Sequence, residues 1–182
     1  MIARISKGDF LKGAVLYNET KVEEGEASAI EIRNLEKYGT VDSSEAIARM
    51  LLQCQKTDRG GNAEMAIKQP VFSCSLNLNQ EDLDKLKTLR DEKGEEAEND
   101  FYRKIADRYM EGMGYGKQPY IVYKHEDIER THIHIISIRV DENRKKINDS
   151  NEKRRSERVR KEIAKEFGLS EEGEKKNEKM HF

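Results

Sequence analysis

Residues 119–141 read PYIVYKHEDIERTHIHIISIRVD and hold three of the chain's four histidines. Tyr120 to Tyr123 is β-branched and aromatic, and Ile133 to Val140 is apolar apart from Ser137 and Arg139, so both halves are predicted to be strands. Glu126 to Arg130, between them, is predicted to be a polar loop. Because strand side chains alternate, His132 and His134 share one face while Ile133 and Ile135 turn into core on the other. His125 ends the preceding strand. An antiparallel hairpin that sets His125 opposite His132 or His134 gathers all three imidazoles on one face, with opposed Cβ atoms roughly 5 Å apart. A slip of one residue would send His125 to the far side.

Three neutral imidazoles gathered in this way can cap one divalent cation, and three ligands with the remaining positions open describe a catalytic rather than a structural centre. All-nitrogen ligation leaves Zn, Mn, Co, Ni and Mg open. The competing reading is ordinary strand histidines. Against it stands the spacing, since a desolvated imidazole inside an apolar run needs a partner. Glu126 or Asp127 is a candidate to orient a ligand imidazole through its second nitrogen, or else serves only to solvate the loop. Arg139 falls on the opposite face and outside the metal's surroundings.

Upstream, Pro70 to Asn77 reads as a strand with Val71, Ser73, Ser75 and Asn77 on one face and Phe72, Cys74 and Leu76 on the other, a pattern suited to a sheet whose open face holds a site. Met1 to Ile5 reads as an opening strand. Ser6 is then a candidate N-cap, with Asp9 three residues on, for a helix through Phe10, Leu11, Ala14, Val15 and Tyr17. Val22 to Gly25 reads as loop and Ala27 to Leu35 as a strand. Asp42 or Ser43 caps a helix over roughly 44–55, and a loop follows with Gly60 and Gly61. Helices are predicted over 80–92 and 97–112, broken near Gly94. Ser150 or Asn151 caps a last helix to Phe167, stopped by Gly168. There is no internal repeat. The pattern predicts an α/β (α+β) domain with a mixed, mainly antiparallel central sheet flanked by helices.

At 182 residues the chain has room for one domain with a substantial core. With 38% charged residues, a mean hydropathy of −0.95 and no apolar run of membrane-spanning length, no membrane association is expected. MIARISKGDF lacks the apolar core of a signal peptide, so a cytoplasmic location is expected. Cys54 and Cys74 have no CxxC partner and read as small apolar residues. The net charge of −2 does not advertise a nucleic-acid binder, but its distribution is uneven. Glu81 to Asp100 carries nine acids against four bases, whereas Arg144 to Glu166 carries ten bases against five acids. Lys145, Lys146, Lys153, Arg154, Arg155 and Arg158 can therefore contact a nucleic-acid backbone, unless they form only the solvated face of an amphipathic helix.

His132-Ile133-His134 on a strand, with His125 upstream in YKHEDIERTHIHIISIRVD, resembles the metal motif of the mobilization relaxases, HUH-type nucleases that nick DNA at a transfer origin. KGAVLYNETKVEEGEA resembles the segment that carries their nucleophilic tyrosine, and DSNEKRRSERVRKEIAKEFGL their helix after the metal strands. The likeness spans residues 1–169, a catalytic domain, with 170–182 as a frayed tail in which His181 is incidental. It implies an HUH relaxase-like fold, one divalent metal ion on His125, His132 and His134, and Tyr17 as the nucleophile. It further implies attack on single-stranded origin DNA to leave a 5′-phosphotyrosyl enzyme and a free 3′-hydroxyl. The acidic balance, unusual for a DNA enzyme, points to a local basic track and accessory mobilization proteins, and a monomer is expected. The phenol's pKa of about 10 suits a reversible transfer.

Spacing alone leaves Tyr17 open to another reading. Phe10, Ala14 and Tyr17 stand at i, i+4 and i+7, so one helix face can simply bury it, and six other tyrosines compete. Other functions also fit the residues: a non-enzymatic origin-binding protein with a structural metal, another HUH enzyme such as a replication initiator or transposase, or a metal phosphodiesterase that uses water.

Overall fold

A computed structural model of the chain describes residues 1–9, 11–54 and 67–170. The predicted positions at Phe10, Gln55, the Gly60-Gly61 loop and the tail from residue 171 lie outside the described residues. The elements run β1 (Ile2–Gly8), α1 (Leu11–Glu23), β2 (Ala27–Arg33), a short 3-10 turn (Glu36–Tyr38), α2 (Ser43–Cys54), β3 (Val71–Asn77), α3 (Gln80–Lys93), α4 (Glu95–Met113), β4 (Tyr120–His125), β5 (His132–Ile138) and α5 (Glu152–Phe167). The five strands form one sheet in the order β1-β3-β5-β4-β2, and every pairing is antiparallel.

The hairpin β4–β5 lies at the heart of this sheet. Its register sets His125 opposite His132, Tyr123 opposite His134 and Ile121 opposite Ile136. On the partner side of β5, Ser75 stands opposite His134 and Asn77 opposite His132. Alternation therefore makes a front face with His125, His132, His134, Ser75 and Asn77, and a back face with Ile133, Ile135, Leu76 and Cys74. Each of those buried isoleucines stabilises the register by roughly 1.5–3 kcal/mol, so a one-residue slip is strongly opposed.

Helices α3, α4 and α5 cover the back. Tyr102, Ile105, Tyr109 and Met113 of α4 and Val159 and Ile163 of α5 join Ile133, Ile135, Phe72 and Leu76 in the larger core. On the front, Leu11 and Val15 of α1 and Ala46 and Met50 of α2 enclose Val71, Ile121, Tyr123, Ile136 and Ile138. This smaller core covers one end of the front face and leaves the histidine end to the C-terminal half of α1.

Several local expectations change in the folded chain. Ser6 is not an N-cap: β1 continues to Gly8 with Ser6 paired to Ser73, and the next helix opens only at Leu11. Asp9 instead accepts the Gln69 backbone N–H at 2.7 Å. Val22 and Glu23 are the last turn of α1, not loop. Strand β2 ends at Arg33 and carries a bulge between Ala29 and Glu31, which opposes an extra residue to β4 and sharpens the local twist. Asp42, one of the two candidate caps, holds the start of α2 by accepting the Glu45 N–H at 2.8 Å. Asn151 precedes α5 in a left-handed conformation without a side-chain cap bond. Glu152, one residue on, makes a fully buried two-pronged pair with Arg139, at 2.8 Å on each prong, that fastens α5 to the end of β5.

Candidate active site

His125 is fully buried and His132 and His134 are half-buried, and their ring centroids stand 5.2, 4.2 and 5.0 Å apart in the pairs 125–132, 125–134 and 132–134. One nitrogen from each lies within 4.8 Å of the others, so the cluster could hold a metal ion. Burial, followed by the charge of neighbouring His132, pushes the His125 imidazole below its ordinary range. Burial likewise pushes His134 down to about 4, with the two neighbouring imidazoles adding to the effect. Both are therefore neutral near pH 7, the form that ligates. The His125 Nδ1 is buried and has no hydrogen-bond partner among the described residues, the state expected of a nitrogen reserved for a ligand.

Helix α1 completes the site. Its buried stripe runs Leu11, Val15, Asn18, one position away from Phe10, Ala14 and Tyr17, so Tyr17 is not buried by the helix face. It is 53% exposed and its ring lies 6.1 Å from the His125 ring and 6.4 Å from the His134 ring, nearly parallel to both. Of the other tyrosines, Tyr102, Tyr109, Tyr115, Tyr120 and Tyr123 are each at most 2% exposed. Burial raises the pKa of all five and so disfavours the phenolate. Tyr123 is near the imidazoles, but its hydroxyl donates to Glu19 at 2.6 Å. Tyr38 stacks instead beneath the Arg49 guanidinium at 3.9 Å.

The carboxylates singled out beside His125 do not orient it. Glu126 follows His125 by one residue and turns to the back, where Arg90 donates to it at 2.8 Å and the buried Lys124 lies 3.7 Å away. Asp127 stays on the front with an oxygen 3.4 Å from Lys21 Nζ. Burial works to raise its pKa, but the hydrogen bond and charge of Lys21, with a backbone hydrogen bond, outweigh that and hold it below the ordinary range. It lends negative potential to the cluster without hydrogen-bonding an imidazole. The residue that does so is Asn18, whose Oδ1 lies 2.7 Å from His125 Nε2. An asparagine on an otherwise apolar helix stripe was the available signal, but nothing local said what it would meet.

Arg139 lies on the back face as alternation requires, and so does α5. Lys153, Arg154 and Arg158 are exposed on that helix, Arg155 is half-buried, and Lys145 and Lys146 precede it in an exposed loop. Lys146 donates to the Lys68 carbonyl at 2.8 Å and Arg158 lies 3.8 Å from Glu162. The basic residues of α5 thus sit on the opposite side of the sheet from the imidazoles. The two sides meet at the β1 edge, where a groove of about 550 Å³ is lined by Arg4 of β1 together with Lys153 and Arg160 of α5.

No described helix is long and apolar enough to cross a membrane. The model of one protein family, described as relaxase, MobA/VirD2-like, nuclease domain, matches residues 17–169. The matched stretch opens on Tyr17 and takes in all three imidazoles. No curated protein and no solved structure matches the chain. With that match over most of its length, the chain belongs to the relaxases and carries their MobA/VirD2-like, DNA-nicking nuclease domain.

Proposed function

We propose that this relaxase domain cleaves one strand of single-stranded DNA at a transfer origin, with Tyr17 as the nucleophile and one divalent cation on His125, His132 and His134. The observation that carries the proposal is the exposed Tyr17 ring lying within 6.4 Å of two of the three gathered imidazoles. The Tyr17 oxygen forms a bond to the scissile phosphorus as the bond to the 3′ oxygen breaks. The phenol gives up its proton, the departing 3′ oxygen gains one, and a 5′-phosphotyrosyl enzyme remains. Reversal by the 3′-hydroxyl rejoins the strand, because a phenolate is a better leaving group than an alkoxide. When bound, the cation supplies Lewis acidity to the phosphate oxygens. Neutral ligands leave its charge undiminished for that task.

The open half of the front face gives the strand a floor. Beside His132 and His134 come Asn77 and Ser75 of β3, both half-exposed, and then Ile2 and Arg4 of β1, both exposed. Hydroxyl, amide and guanidinium groups at strand spacing suit a sugar-phosphate backbone. The β1 groove with Arg4, Lys153 and Arg160 extends that path toward the basic helix. Such a localised track accounts for DNA binding by a chain of net charge −2. The same reading places the protein on DNA in the cytoplasm, as a monomer aided by accessory mobilization proteins.

The test incubates the protein with end-labelled single-stranded origin DNA and Mg²⁺ or Mn²⁺, followed by a denaturing gel. A covalent protein–DNA adduct that disappears in Tyr17→Phe and on chelation is expected. Cleavage without an adduct would instead indicate attack by water, and an adduct mapped to Tyr38 or Tyr123 would move the nucleophile.

A further inference from the structure

Asn18 is 1% exposed, and both ends of its amide are committed. Its Nδ2 donates to the Ala14 carbonyl at 2.7 Å, and a carbonyl can only accept. The amide orientation is thereby settled, and the atom 2.7 Å from His125 Nε2 is the acceptor Oδ1. Nε2 must then carry the hydrogen. A neutral imidazole has only one, so His125 Nδ1 presents a lone pair, and this is the buried nitrogen that has no partner among the described residues. His132 is set in the opposite sense. Its Nδ1 lies 3.1 Å from the Arg130 carbonyl and so donates, leaving Nε2 as its free lone pair.

We infer that Asn18 is a positioning residue of the metal centre: it locks His125 in the Nε2–H form so that Nδ1 is the ligand atom, and it ties the helix bearing Tyr17 to that ligand. The metal part rests on the reading above, whereas the tautomer does not. Asn18 follows Tyr17 directly and shares its helical turn, so the bond that orients the imidazole also fixes where α1 stands over the site. A hydrogen-bond partner of this kind affects metal affinity by roughly 10–100-fold. Asp127, two residues after His125, has one oxygen 3.4 Å from Lys21 Nζ and its other oxygen buried without a hydrogen-bond partner among the described residues, so it binds no imidazole and does not replace Asn18.

The experiment reads the metal-free protein by long-range ¹H–¹⁵N spectra of its histidines at pH 8, then titrates Mn²⁺ calorimetrically into wild type, Asn18→Leu and Asn18→Asp. Wild type is expected to show Nε2 protonated and Nδ1 bare at His125. Asn18→Asp loses the donor to the Ala14 carbonyl but still accepts from Nε2–H, so it keeps the tautomer and an affinity no more than about threefold below wild type, whereas Asn18→Leu mixes the tautomers and weakens Mn²⁺ by about 10–100-fold. An Nδ1–H form in wild type overturns the inference, and so does undiminished affinity in a folded Asn18→Leu. If that variant fails to fold, the wild-type tautomer and Asn18→Asp decide. Mn²⁺ uptake as expected with no DNA cleavage would overturn only the nickase reading; no uptake by wild type would overturn the positioning role.

Discussion

The rings of Tyr17 and His125 lie 6.1 Å apart with planes inclined by 16°, although one belongs to the first helix and the other to the fourth strand. The phenol is half in solvent and fills no core position, so its removal tests chemistry rather than folding. Tyr17→Phe is expected to shift unfolding stability by no more than about 0.5 kcal/mol. Strand cleavage should fall by on the order of 10³-fold or more, as when an enzyme loses its nucleophile. Chemical denaturation and single-turnover cleavage measure the two effects. A large stability loss would mean that Tyr17 is structural.

With one cation on all three imidazoles, as proposed, its binding should stabilise the fold only when all are present. At a cation concentration 100 times its Kd, the gain is about 2.7 kcal/mol, visible as a rise in Tm. His125→Ala, His132→Ala and His134→Ala should each abolish the rise, and chelation should reverse it in wild type. A rise that survives in any of the three removes that residue from the ligand set.

Arg139 and Glu152 are 0% and 4% exposed and neutralise each other inside the back layer. Glu152→Ala strands the guanidinium and is expected to cost about 3–5 kcal/mol. The paired change Arg139→Met with Glu152→Leu should cost less than Glu152→Ala alone, because it removes both charges. Burial tends to raise the Glu152 pKa, but Arg139 and the hydrogen-bonding Tyr115 outweigh it and hold the carboxyl below its ordinary 4.5. Its contribution is therefore present above that value and is lost as the pH falls through the lower, folded-state value. Urea titrations at pH 7 and in mild acid check both statements.

Glu31 behaves in the opposite way. It follows the β2 bulge with one carboxylate oxygen buried and unpaired. Burial first, and then the Asp107 carboxyl beside it, push its pKa up to about 8. A raised acid contributes most at low pH: its share of stability is fully present below 4.5, declines as the pH rises toward about 8 and is flat beyond. Glu31→Gln should flatten the stability profile across that window and make the variant the more stable protein at pH 8. An unchanged slope would show that Glu31 titrates normally.

Much of the site could be read along the chain. Alternation in THIHIISI was enough to put His132 and His134 together and Ile133 and Ile135 away from them, and polar alternation in PVFSCSLN put Ser75 and Asn77 on an open face. Both follow from a period of two, which any strand obeys wherever it is placed. Errors arose where a local signal competed with a distant pairing. Ser6 has a good capping chemistry, but its backbone is more useful paired to Ser73. Glu126 sits beside His125 in sequence, yet alternation turns it through the sheet to Arg90.

The order of strands and helices, most of their core faces, the shared face of His132 and His134 and the family motif were legible along the chain, though several element ends were not, because periodicity and turn chemistry act over a few residues. Only the tertiary structure decided that His125 stands opposite His132, that the buried stripe of α1 ends on Asn18 and leaves Tyr17 free beside the imidazoles, and that α5 lies behind the sheet. These depend on how whole faces of helix and sheet fit together. Asn18 and His125 are 107 residues apart, and no local rule reaches that far.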